Sequence, residues 1–242
     1  MSNLTPPGRA SAGALSVAIF YPTVLTLVYF VLLRDQSSAW QLGVGGLGKV
    51  LQFGFPLFYV YLVLKQRPRF PRRPLAGMGP SLLFGGLILI AMLALYHLVL
   101  EPAGLFDDPG EEIRKKIVGM GLSSSTAYLL FGAFYAAVHS LLEEYYWRWF
   151  VFRQLRERMS LGWSVLLSSL GFASHHVILL VVYFGARSIF TYLFIAGVAI
   201  GGAVWALIYN RYRSLIAPWL SHALVDLAIF LIGYELARDL LS

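Results

Sequence analysis

The chain has 242 residues, of which 58% are hydrophobic and only 13% charged, against roughly 25% charged in an ordinary soluble domain; this is the composition of a membrane protein. Nineteen Lys and Arg against twelve Asp and Glu give a formal charge of +7. Charges so few, spread between long apolar runs, cannot make a continuous basic face, so nucleic acid is excluded as a partner. Cysteine is absent, which removes disulfides, thiol nucleophiles and Cys-ligated metal centres and leaves Glu, Asp, His, Ser and Tyr to carry any chemistry.

Apolar stretches lie at 14–33, 43–64, 81–100, 126–147, 161–182, 188–209 and 215–234, each near the roughly 20 residues that a spanning helix needs. They predict an all-α, polytopic transmembrane helix bundle of about seven to eight helices, with room for an eighth short element. The first stretch reads as a retained helix and not a cleaved signal, because no small-residue cleavage site is evident and Arg34-Asp35 follow directly. The second is Gly-rich and carries Lys49, which suggests a tilted or partly interfacial helix. The whole of 1–242 reads as one transmembrane domain.

Connecting segments alternate in charge. Lys65, Arg67, Arg69, Arg72 and Arg73, then Arg148, Arg153, Arg156 and Arg158, then Arg211 and Arg213 mark three segments expected to be cytoplasmic. Between Glu101 and Ser125, Glu101, Asp107, Asp108, Glu111 and Glu112 outnumber Arg114, Lys115 and Lys116, and this segment is expected outside. The N-terminus is then cytoplasmic, and by size and style the expected location is a bacterial plasma membrane. Only the Pro/Arg-rich linker at 68–74 is of low complexity, and no repeat suggests an inverted-repeat transporter.

Ionisable groups at membrane depth cost several kcal/mol by most scales, so each is a candidate for function. Glu143-Glu144, His175-His176, and His222 with Asp226 are the main ones, beside His139 and His97. Adjacent glutamates on a helix point about 100° apart. Glu144 and Arg148 stand at i and i+4 in the favourable order for an ion pair, which leaves Glu143 uncompensated and suited to general acid/base work. His222 and Asp226 share a helix face, so the carboxylate can orient the imidazole. If the chain turns near Met159-Ser160, Glu143 and His176 lie at equal depth, roughly 24 Å along their helices at ~1.5 Å per residue, and can meet. His222 lies nearer its own turn and reaches that depth only if its helix starts lower or bends near Pro218.

Three patterns thus fall in order on successive predicted spans: Glu-Glu-x-x-x-Arg at Glu143, Glu144 and Arg148; Phe-x-x-x-His at Phe172 and His176; and His-x-x-x-Asp at His222 and Asp226. Together they resemble the CPBP family of intramembrane proteases, also called the Abi or type II CAAX prenyl protease family, with a catalytic core at 126–234. The resemblance implies an endopeptidase acting on a membrane-anchored protein or hydrophobic peptide at the lipid bilayer. Glu143 and His176 would activate water without a cofactor, and His222 would help stabilise the oxyanion. Asp226 stands where the prenyl protease branch has Asn; an anionic Asp cannot donate to an oxyanion, so it becomes an orienter of His222 or a protonated donor. Glu144, Arg148 and Phe172 take supporting roles, as does His175, which is one residue off the motif and points about 100° away from it.

Zinc held by Glu143, His176 and His222 is the less favoured alternative. Two others are a non-catalytic membrane scaffold that keeps the polar cluster and, further behind, a proton-coupled transporter. Ser174 beside His175 weakly suggests a serine protease, although neighbours on a helix point apart. His139 and His97 read more simply as structural or interfacial.

Overall fold

The computed structural model describes residues 9–67 and 73–241, so Arg69 and Arg72 of the expected cytoplasmic linker lie outside the described residues. Among the described residues there are eight helices and no strand. Seven are long and apolar enough to cross a membrane: α1 (Ala12–Leu32), α2 (Ser38–Val63), α3 (Met78–Leu100), α5 (Ser125–Arg156), α6 (Leu161–Phe184), α7 (Ile189–Tyr212) and α8 (Ile216–Leu240). Between them α4 (Asp107–Gly119) is short and amphipathic and fills the room left for an eighth element. The protein is a polytopic helical membrane protein.

Local chemistry sets the helix boundaries. Ser11, Ser37 and Ser124 accept hydrogen bonds from the backbone N–H groups of Ala14, Trp40 and Ala127 and so cap α1, α2 and α5. Gly185, with φ of 78°, ends α6, and Arg213, with φ of 54°, ends α7, both leaving the right-handed helical region. In α4, Asp107 and Asp108 occupy the first turn and Lys116 the last, matching the helix dipole.

The burial pattern suits lipid: large apolar side chains such as Phe20, Leu83 and Leu130 face outward while polar groups lie inside. Helix α5 is central, with Glu143, Glu144, Tyr146, Trp147, Arg148 and Phe150 all buried. Helices α6 and α7 form a closely packed hairpin, α3 lies along α8, and α1 packs against α6. At the end of the bundle where α1 begins, Gln154 Oε1 accepts from the Ala10 N–H at 2.8 Å and the Tyr59 hydroxyl accepts from the Ser11 N–H at 3.0 Å. These contacts tie α1, α2 and α5 together at one level.

Helix α8 starts low. Ser214, just before it, is fully buried and donates its hydroxyl to the Pro74 carbonyl, and Ala217 is equally buried. His222, only a turn and a half further on, is therefore already well inside the bundle.

Candidate active site

Helix α5 does not wind uniformly. Wide π-helical turns at Tyr135–His139 and Tyr145–Phe152 flank a short α-helical piece, Ser140–Glu144. Such turns occur frequently at functional sites. They set the acid pair Glu143-Glu144 between them, facing α6 and α8.

The two acids have different surroundings. Glu144 is fully buried; its Oε1 lies 3.0 Å from Arg148 Nη1 and 2.8 Å from His222 Nδ1. Arg148 is itself fully buried, donates through Nη2 to the Gly202 carbonyl at 3.1 Å, and lays its guanidinium over the rings of Phe172 and Trp205. A buried guanidinium so held needs its counter-charge in place.

Glu143 is 4% exposed and ringed by imidazoles. Its Oε1 lies 3.4 Å from His139 Nε2 and 3.5 Å from His175 Nε2, and its Oε2 lies 3.8 Å from His222 Nε2. His176 belongs to the same cluster: Glu143, His175 and His176 each offer an atom within 4.8 Å of the others. His176 Nδ1 is engaged at 3.0 Å by the Phe172 carbonyl one turn back, which leaves Nε2 for the cluster. Of the two adjacent histidines, His176 is the more open and His175 the more buried.

Aromatic rings hold these groups. Phe172 packs against His175, His176 and His222, with ring centroids 5.6, 4.8 and 5.7 Å away, so its supporting role is that of a common wall for the cluster. Trp205 of α7 stacks on His222 at 4.1 Å and donates its indole N–H to Ser221 Oγ at 3.0 Å. Trp147 lies parallel to His175, and Phe53 of α2 packs edge-on against His139. Trp205 and Phe53 carry no ionisable group, and nothing in their sequence context marks them out.

The structure brings Glu143, Glu144, Arg148, Phe172, His175, His176, His222 and Asp226 together, with three rearrangements from the sequence expectation. The closer acid partner of His222 is Glu144, at 2.8 Å, while Asp226 Oδ1 is 3.5 Å from Nε2; Glu144 is thus the better placed to orient the ring. His175 lies against Glu143 and not behind it, since the two imidazoles, diverging at the backbone, still converge to 4.1 Å between centroids. His139 touches Glu143 as well. Ser174 turns away from the cluster, its hydroxyl 2.6 Å from Thr23 of α1 and donating to the Gly171 carbonyl, so no serine–histidine pair forms. His97 stands apart at the end of α3, between Glu101 and Glu235.

For a metal ion, the three donors that meet are Glu143, His175 and His176, with His175 in the place the sequence reading gave His222. One carboxylate and two imidazoles are donors of the kind zinc takes; an ion held there would polarise a carbonyl and acidify bound water.

Residues 123–228 match the family described as Rce1-like, type II CAAX prenyl endopeptidase. No curated protein and no solved structure was found to match the chain. The matched stretch contains all three motifs and every histidine of the cluster, so the part of the chain that carries the site is similar to that family.

Proposed function

From that match and the geometry of the cluster we propose that the protein is an intramembrane endopeptidase in which Glu143 is the general base, working without a metal. The observation that carries the reading is the buried Glu143 carboxylate, at membrane depth, facing His139, His175, His176 and His222. One water hydrogen-bonded to two groups at about 2.8 Å holds them roughly 4.6 Å apart, and the Glu143–His176 separation lies within 4.8 Å. A water seated there is polarised by both and attacks the peptide carbonyl. Its proton passes to Glu143 and then to the leaving amine, so no acyl-enzyme forms.

His222 stabilises the tetrahedral oxyanion. It stands among Glu143, Glu144 and Asp226, a setting in which a doubly protonated ring donates Nδ1–H to Glu144 and presents Nε2–H to the developing charge. Asp226, behind Nε2, keeps that donor aligned. The substrate is a membrane-associated polypeptide, because the reacting groups are reached from within the bundle. The end bearing Lys65, Arg67, Arg153, Arg156, Arg158, Arg211 and Arg213 is assigned to the cytoplasm, and with it the N-terminus.

The deciding experiment is cleavage of a panel of membrane-tethered peptides by purified wild type, Glu143→Gln and His176→Ala, with and without a chelator. Cleavage lost in both variants, with folding intact and the chelator without effect, is the expected result. Cleavage retained by both variants overturns the reading, and loss on chelation replaces the metal-free mechanism with one centred on Glu143, His175 and His176.

A further inference from the structure

Among the described residues, Lys49 of α2 is the one lysine placed by the fold beside the Glu143 cluster. It lies ten residues before Tyr59 and Glu143 eleven before Gln154, and Tyr59 and Gln154 are levelled by their bonds to the consecutive residues Ser11 and Ala10. At ~1.5 Å per residue Lys49 stands about 15 Å above that level, and Glu143, whose path passes through the wide turns Tyr145–Phe152, no more than about 17 Å. The lateral link is equally direct. Lys49 Nζ lies 5.4 Å from the Phe53 ring, Phe53 packs on His139 at 5.7 Å, and His139 touches Glu143.

Lys49 has no ion-pair partner among the described residues, because no carboxylate comes within 4.0 Å of its ammonium. Every other charged group at this depth is matched: Arg148 with Glu144, Glu143 and Asp226 with imidazoles. Lys49 stands eleven residues from Ser38 and fourteen from Val63 on α2, so a lysine stem reaches neither end of the helix. A cation kept at membrane depth with no carboxylate in contact costs several kcal/mol and marks a functional position. Its side chain is only half-buried, so an incoming group has access.

Resting on the reading of Glu143 as the base, we propose that Lys49 is a substrate-binding residue whose ammonium receives a carboxylate of the peptide next to the bond being cut. Lys49 lies outside the stretch 123–228 that matches the family, so this contact is supplied by the N-terminal helices of this chain. The carboxylate comes either from the chain terminus or from an acidic side chain. Both replace the missing counter-ion by a charge-assisted hydrogen bond, and neither requires Lys49 to take part in the bond-breaking step.

The test measures binding and cleavage of N-terminally acylated peptides in lipid nanodiscs. Each peptide is made with a free C-terminus and as its carboxamide, and with an internal Asp and its Asn counterpart. Binding is measured on Glu143→Gln, which separates it from turnover. Loss of one carboxylate is expected to weaken binding by roughly tenfold or more, through KM and not kcat in the active protein. In Lys49→Met the acid and neutral peptides bind alike, and Lys49→Arg restores the preference. The arm that responds identifies the source of the carboxylate. If peptides are cleaved but no arm shows a Lys49-dependent preference, this proposal is overturned while the protease reading stands. If Lys49→Met does not fold, the preference is read in Lys49→Gln. No cleavage of any peptide by the wild type overturns the protease reading and this proposal with it.

Discussion

His222 links both acids of the pair, with Nδ1 2.8 Å from Glu144 Oε1 and Nε2 3.8 Å from Glu143 Oε2. One imidazole thereby couples a closed ion-pair system, Glu144 with Arg148, to the carboxylate assigned to catalysis. Two neighbouring glutamates with separate partners serve separate purposes, and their substitutions should part company.

Glu144→Ala removes the counter-charge of a fully buried Arg148 and is expected to cost about 3–5 kcal/mol of stability, with Glu144→Gln milder. Glu143→Gln, facing imidazoles and not a permanent cation, should shift the unfolding midpoint far less while cleavage is lost. Thermal unfolding in detergent, followed beside peptide cleavage, checks both. Equal losses of stability in the two variants would show that the acids share one structural role.

His175→Ala takes away a ring that lies 3.5 Å from Glu143 and packs parallel to Trp147. We expect a fall in kcat of roughly 10²–10⁴, the range of a lost acid/base or positioning group, although the sequence puts His175 outside the motif. His139→Ala, which leaves His175 and His222 against Glu143, should cost less. Steady-state kinetics on one peptide substrate rank the two.

Hydropathy marks the spans because lipid imposes length and composition on each helix separately; the seven apolar stretches correspond to α1, α2, α3, α5, α6, α7 and α8. Helix α4 was less legible, being polar and amphipathic. Within the site, the Glu144–Arg148 contact follows from i, i+4 spacing on one helix. The contact of His139 with Glu143 follows from the same spacing, while that of His175 did not follow, because an angular argument locates side chains at Cβ and ignores the reach of an imidazole. It also assumes one helical pitch, whereas π-helical turns flank Ser140–Glu144. The Trp205–His222 stack joins α7 to α8 and depends on tertiary packing alone.

Gly85 marks a helix crossing that bears on the site. A Cβ at this position of α3 would come 2.8 Å from both Cα and the carbonyl oxygen of Ser221, the residue before His222. Backbone cannot yield as a side-chain end does, so Gly85→Ala should push α8 aside, with a loss of about 1–3 kcal/mol and a disproportionate loss of cleavage. An unchanged unfolding midpoint and rate would mean that the helices separate without moving His222.

Orientation can be read without background, because the chain has no cysteine of its own. Single cysteines at Arg67 and at Asp108 should react with a membrane-impermeant maleimide from opposite sides: Asp108→Cys in intact cells, Arg67→Cys only after permeabilisation. The reverse pattern would invert the topology assigned from charge.

Trp205, stacked 4.1 Å from His222 with the ring planes 16° apart, gives the oxyanion-side imidazole an optical readout. A protonated imidazole withdraws electron density from an excited indole, so in a pH titration the emission of Trp205 should be dim while His222 holds its second proton and recover as that proton is lost. With the other five of the six tryptophans replaced by phenylalanine where the fold tolerates it, one fluorophore would report the protonation state of His222 in unlabelled protein.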